Sequence, residues 1–98
     1  MKDFNMSDEL TRVQAGWYEQ SKDAVYNLKD VTKALTDGKS LKHCKRMVED
    51  IPGIGLSQRT QEYLQVALNC KRMENFSKCL FKAYQIQTRN AASLKKDS

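Results

Sequence analysis

Apolar residues in the first third of the chain return at helical intervals. Leu10, Val13, Trp17, Ala24, Leu28, Val31 and Leu35 are separated by three, four or seven positions, which places them on one face of a helix predicted over residues 7–35. Ser7, followed by Asp8 and Glu9, reads as an N-cap with acids in the first turn, where the helix dipole favours them. Gly16 costs a helix interior up to about 1 kcal/mol relative to alanine, so a break or kink is expected there. The turn-forming pair Asp37-Gly38 closes the element.

Ser40 is placed to cap a second helix with Leu41, Cys44, Val48 and Ile51 on its buried stripe. Pro52 ends it, because the residue before a proline is pushed out of helical conformation. Residues 52–56 form a short apolar loop whose Ile54 and Leu56 are expected to turn inward. Ser57 is placed to cap a third helix carrying Thr60, Tyr63, Leu64, Ala67 and Leu68. The pattern breaks from Cys70 to Asn75. Asn75 then reads as the cap of a fourth helix with Phe76, Cys79, Leu80, Ala83, Tyr84 and Gln87 near one face. After Arg89 the periodicity fades, and residues 91–98 read as a flexible basic tail. No strand-like alternation of useful length occurs. The prediction is an all-α fold, a small antiparallel bundle of four to five helices forming one helical domain over residues 1–98, with its core in residues 36–90.

Ninety-eight residues suffice for one modest core and not for two. The net charge of +5 attracts an acidic or polyanionic partner, but the cations are spread along the chain, which weakens a nucleic-acid reading. Cys44, Cys70 and Cys79 form no C-x-x-C pair, and His43 is the single histidine, so no metal or other cofactor is expected. The cysteines read as reduced, mostly buried apolar residues, which favours the cytosol or nucleus. No segment approaches the roughly 18 apolar residues of a membrane span, and none resembles a signal peptide. His43 beside Cys44 raises the question of a nucleophile and base, but adjacent helical positions point about 100° apart. No phosphate-cradling glycine loop is present. The expectation is a non-enzymatic chain that works by docking a partner.

Ile51-Pro52-Gly53-Ile54-Gly55 resembles the hairpin of the helix-hairpin-helix family, which holds DNA phosphates on backbone amides. Glycine permits the close approach, and the next helix presents free N–H groups. That resemblance implies a nucleic-acid site at Gly53, Ile54, Gly55 and Arg59, although the family has a small residue where Arg59 stands. An ordinary interhelix loop accounts for the same residues.

A longer resemblance runs from Thr36 to Asn90. Its residues are the Asp37-Gly38 turn, His43-Cys44, Val48-Glu49-Asp50-Ile51, Ile54-Gly55-Leu56-Ser57, Lys71-Arg72-Met73 and Phe76. In order and spacing these are similar to the integrase-binding domain of the lens epithelium-derived growth factor and hepatoma-derived growth factor-related family, a TFIIS N-terminal-like helical bundle. The resemblance implies a nuclear domain whose interhelix turns dock short disordered segments of transcription and chromatin regulators, with an aromatic or aliphatic anchor and acidic flanks. Its binding residues would be Thr36, Asp37, Gly38, Lys71, Arg72, Met73 and Phe76. Asp37 would accept hydrogen bonds from peptide N–H groups, Phe76 would wall the anchor, and Lys71 and Arg72 would attract the acids. Turn chemistry, core packing and the helix dipole, respectively, explain the same residues without a partner. Glu74 and Asn75 stand where the family has arginines, and Thr36 where it has isoleucine, so a different peptide preference is expected. A third alternative is self-association through a helix face bearing Trp17 and Tyr18.

Overall fold

The computed structural model describes residues 2–97, and the side chains of residues 16–93. The described residues form four helices, α1 (Lys2–Thr36), α2 (Leu41–Glu49), α3 (Gln58–Asn69) and α4 (Met73–Asp97), and no strand. The two long helices run antiparallel. Ser21 of α1 is hydrogen-bonded to Gln87 of α4, and Tyr18 shares a surface depression with Ala91 and Ala92. The shorter α2 and α3 lie on one side of this pair, with α3 packed mainly on α4 and α2 mainly on α1. The result is a rod of 57 × 21 × 20 Å, because α1 alone is about 52 Å long.

The core follows the helical stripes. Leu28 and Val31 of α1, Cys44 and Val48 of α2, Leu64 and Ala67 of α3, and Phe76, Leu80 and Ala83 of α4 form one buried cluster. Burial of a side chain such as Leu28, Leu80 or Phe76 contributes about 2 kcal/mol each. Ser40 and Ser57 cap α2 and α3 as anticipated, their hydroxyls accepting from the N–H groups of His43 and Thr60 at 3.1 Å. At the C-terminus of α1, Gly38 takes φ +85°. Its N–H donates to Leu35 O (3.1 Å) and that of Lys39 to Ala34 O (3.0 Å), which is the Schellman closure.

Several expectations are corrected. The first helix begins at Lys2 and not at Ser7, so Ser7 is no cap. Neither proline nor glycine occurs in residues 2–7 to stop helical propagation. The helix also passes Gly16 unbroken, since one glycine costs less than the surrounding turns supply. Asn75 lies inside α4, which starts at Met73; the interruption is confined to Cys70–Arg72, and Phe76 N–H already bonds Arg72 O at 3.0 Å. The fourth helix continues to Asp97 through most of the segment read as a tail, with Ala91 still buried. Trp17 continues the apolar stripe of α1 but is 55 % exposed, because the layer of α2, α3 and their loop reaches only as far as Gln20 and Ser21. Leu10 and Val13 lie outside the described side chains.

The α2–α3 loop is held by a buried amide. Gln87 is fully buried, and its Oε1 accepts from Ser57 N–H (3.1 Å) and Thr60 Oγ1–H (3.0 Å). Its Nε2 donates to Gly55 O (2.7 Å) and Ser21 O (3.2 Å), so both lone pairs and both protons are used. The single Thr60 hydroxyl proton goes to Gln87, so in the 2.7 Å contact between Ser57 and Thr60 hydroxyls it is Ser57 that donates. Gly55, at φ +90°, lies flat on α1. A Cβ there would stand 2.6 Å from the Gln20 carbonyl carbon and closer still to its oxygen.

Three glycines therefore answer differently to alanine. Gly16→Ala, which meets nothing within 4 Å inside a helix, is expected to raise stability by about 0.5–1 kcal/mol. Gly38→Ala, strained in backbone but unobstructed, should cost about 1–2 kcal/mol. Gly55→Ala meets both penalties, and should be the most damaging of the three in urea unfolding. Gln87→Leu should cost more than about 2 kcal/mol, since it orphans buried donors and acceptors on three elements. Equal midpoints for Gln87→Leu and the parent chain would contradict this account of the loop.

Candidate functional site

The antiparallel register brings two of the interhelix turns to one end of the rod. Counting from the Ser21–Gln87 contact, fifteen residues forward on α1 and fifteen back on α4 reach Thr36 and Arg72. At about 1.5 Å per residue both advance about 22 Å in the same direction. The Asp37-Gly38 turn and the Lys71-Arg72 turn thus share the end at which α2 begins. Thr36, Asp37, Gly38, Lys71 and Arg72 are exposed there, and Met73 is half-buried.

Phe76 departs from the role that the resemblance implies. It is 0 % exposed and belongs to the core cluster, so as packed it offers no surface to a ligand. Its position explains this: one turn into α4, it lies among the core residues that all four helices contribute. The half-buried apolar groups nearest that end are Leu35, Leu41 and Met73, all packed against the core. Asp37 is the C-cap of α1, where the negative pole of a 35-residue helix disfavours a carboxylate. Asparagine would close the same turn without that repulsion.

The loop likened to a DNA-binding hairpin lies about 22 Å from that end, near the middle of the rod, against Gln20 and Gln87. Gly53, Ile54 and Arg59 are exposed, and Ile54, expected to turn inward, is 64 % exposed. Docking of Gly55 on α1 sends Leu56 beneath the loop and leaves Ile54 outside. Ile54 and Trp17 line one shallow depression, together with Gln20 and Asn90. Within the loop, Leu56 N–H donates to Gly53 O and Ser57 N–H to Gln87, and at the start of α3 Thr60 N–H donates to Ser57 Oγ. The Gly53, Ile54 and Gly55 amides make no such bond within the described residues, while one side of Gly55 lies against Gln20.

The cysteines are free, Cys44 buried and Cys70 and Cys79 half-buried. His43 is exposed while Cys44 is sealed in the core, so the two do not form a nucleophile–base pair. Burial pushes the Cys44 thiol above its ordinary range. Burial, and then the neighbouring Cys70 thiol, push Cys79 up as well. Among the described residues no cluster of three metal-ligating side chains occurs, and no helix is long and apolar enough to cross a membrane. No family model matches this sequence, and neither a curated protein nor a solved structure shows significant similarity to it.

One surface depression escapes the reasoning from motifs. Tyr18, Lys22, Val25, Tyr26 and Lys29 of α1 line one with Tyr84, Thr88, Ala91 and Ala92 of α4. The signal was present as a second helical stripe on α1, at spacings of four, three, one and three, offset from the core stripe.

The thiols provide a check on the packing. At pH 8 in native buffer, Cys44 should be the last to react with a maleimide, by at least tenfold in rate, because its thiol is both enclosed and held protonated. The folded state keeps that proton when the unfolded chain loses it. Stability from this group is therefore complete below the ordinary thiol pKa of about 8.5 and declines as pH rises above it, which thermal melts at pH 8 and 9.5 will register.

Proposed function

We propose that this chain is a non-enzymatic docking domain of the TFIIS N-terminal-like kind. It binds short disordered segments of transcription or chromatin regulators in the nucleus, at the end of the rod formed by Asp37-Gly38 and Lys71-Arg72-Met73. The observation that carries the reading is the convergence of these two turns, 33 positions apart in sequence from Gly38 to Lys71, on one exposed end. Lys71 and Arg72 supply cationic donors for acidic flanks of a peptide. The Asp37 carboxylate supplies acceptors for backbone N–H groups, and its unfavourable place at the helix C-terminus is offset by that use. Leu35, Leu41 and Met73 take the part of the apolar wall, so the anchor is held at the surface and affinity is modest. A segment that orders only on binding loses conformational freedom, and a shallow site returns little against that cost.

The test is an amide chemical-shift titration of the labelled chain with a phenylalanine-containing acidic peptide, and separately with a short DNA duplex. Shifts at Asp37, Gly38 and Lys71–Met73 with peptide are expected. Asp37→Asn should weaken the peptide about tenfold, the usual scale for a hydrogen bond to a charged group. The same substitution should leave the melting temperature unchanged or slightly raised, because it keeps the turn and removes the repulsion. Shifts confined to Gly53–Arg59 with DNA, and none with peptide, would overturn the reading.

A further inference from the structure

The α1–α4 pair is covered by α2 and α3 on one side only. Its other side carries the depression between Tyr18–Lys29 and Tyr84–Ala92, and a second one lined by Lys78, Phe81, Lys82, Tyr84 and Gln85. Tyr84 lines both, so the two adjoin. Tyr26, 54 % exposed, lines the first depression with the small residues Ala91 and Ala92, and Phe81, 51 % exposed, lines the second. Four lysines, Lys22, Lys29, Lys78 and Lys82, line this face, and no acidic residue lines either depression.

We propose that this face is a second docking surface, which takes an acidic amphipathic helix from another protein. It lies along the side of the rod, apart from the end that carries the Asp37 turn, and does not depend on that site. Three observations select the occupant. The two depressions together follow α1 for twelve residues and α4 for fifteen, about 16–21 Å, which is the length of three to four helical turns. Their apolar floor bordered by cations complements a helix with an apolar stripe flanked by glutamate or aspartate. A second copy of this chain would bring eight lysines together in a symmetric contact, which like-charge repulsion opposes.

The probe is a synthetic 16-residue helical peptide with leucine and phenylalanine at heptad spacing and glutamate on both borders, added to the labelled full chain. Shifts should cluster at residues 18–29 and 78–92 and leave Asp37 and Gly38 unmoved. The charge-reversed chain Lys29→Glu/Lys82→Glu, altered at two exposed positions, should lose at least tenfold in affinity with an unchanged melting temperature. Tyr26→Ala and Phe81→Ala should each weaken binding at unchanged net charge. No binding at about 1 mM peptide, shifts confined to the Asp37 end, or an unaltered affinity in the charge-reversed chain would overturn the proposal. So would a twelve-residue oligothymidylate that shifts the same face more strongly than the peptide, or a dimer in sedimentation that Phe81→Ala abolishes.

Discussion

The arrangement of the whole rod depends on one buried carboxamide. Gln87 sits where α1, α4, the α2–α3 loop and the first turn of α3 meet, and it bonds to each of the other three. An amide sealed from water without partners costs several kcal/mol, so the groups around it have little freedom to rearrange. Ser21, whose carbonyl accepts from the Gln87 amide, is a small residue and is itself buried. Gly55 must lack a side chain to lie against Gln20, and Thr60 must carry a hydroxyl to pass a hydrogen bond from Ser57 to Gln87. Chains of this kind polarise one another, which strengthens each bond in the low-dielectric interior.

That network ties the α2–α3 loop to the middle of the rod, with the Leu56, Ser57 and Thr60 amides engaged by the protein's own acceptors. Ile54 and Trp17 remain outside it. The end that carries Asp37 and Arg72 is closed only by local hydrogen bonds of the Schellman type and by capping, which leaves the polar groups of both turns facing solvent. The proposed docking role draws on this end, whose carboxylate and cations are exposed.

The long helices add a separate constraint. α1 and α4 exceed α2 and α3 by a factor of two or more in length, so the short helices cannot cover the pair. One face is buried as core, and the other keeps its tyrosines and lysines in water. Aromatic side chains on such a face cover area without a large loss of rotamer freedom, and lysine stems can lie along them while their charges stay hydrated. Lysines on such a face oppose its pairing with a second copy through like-charge repulsion.

Much of the architecture was legible in the residues themselves. Periodicity of 3.6 located all four helices, and Ser40, Ser57, Asp37-Gly38 and Pro52 placed most of their ends, because capping and turn formation depend on neighbours in sequence. The stripes through Leu28, Leu64 and Leu80 identified the core for the same reason. The ends of α1 and α4 were missed where no local signal stops a helix, and Asn75 was mistaken for a cap because its neighbour Met73 carries no marker. Phe76, Ile54 and Trp17 were decided by tertiary structure. Whether an apolar residue on a helical stripe or loop is covered depends on how far the other elements reach, which is a property of packing and of no local window. The role of Gln87 likewise could not be read from its polarity: its four partners lie 27 to 66 positions away, and only the antiparallel fold brings them within hydrogen-bonding distance.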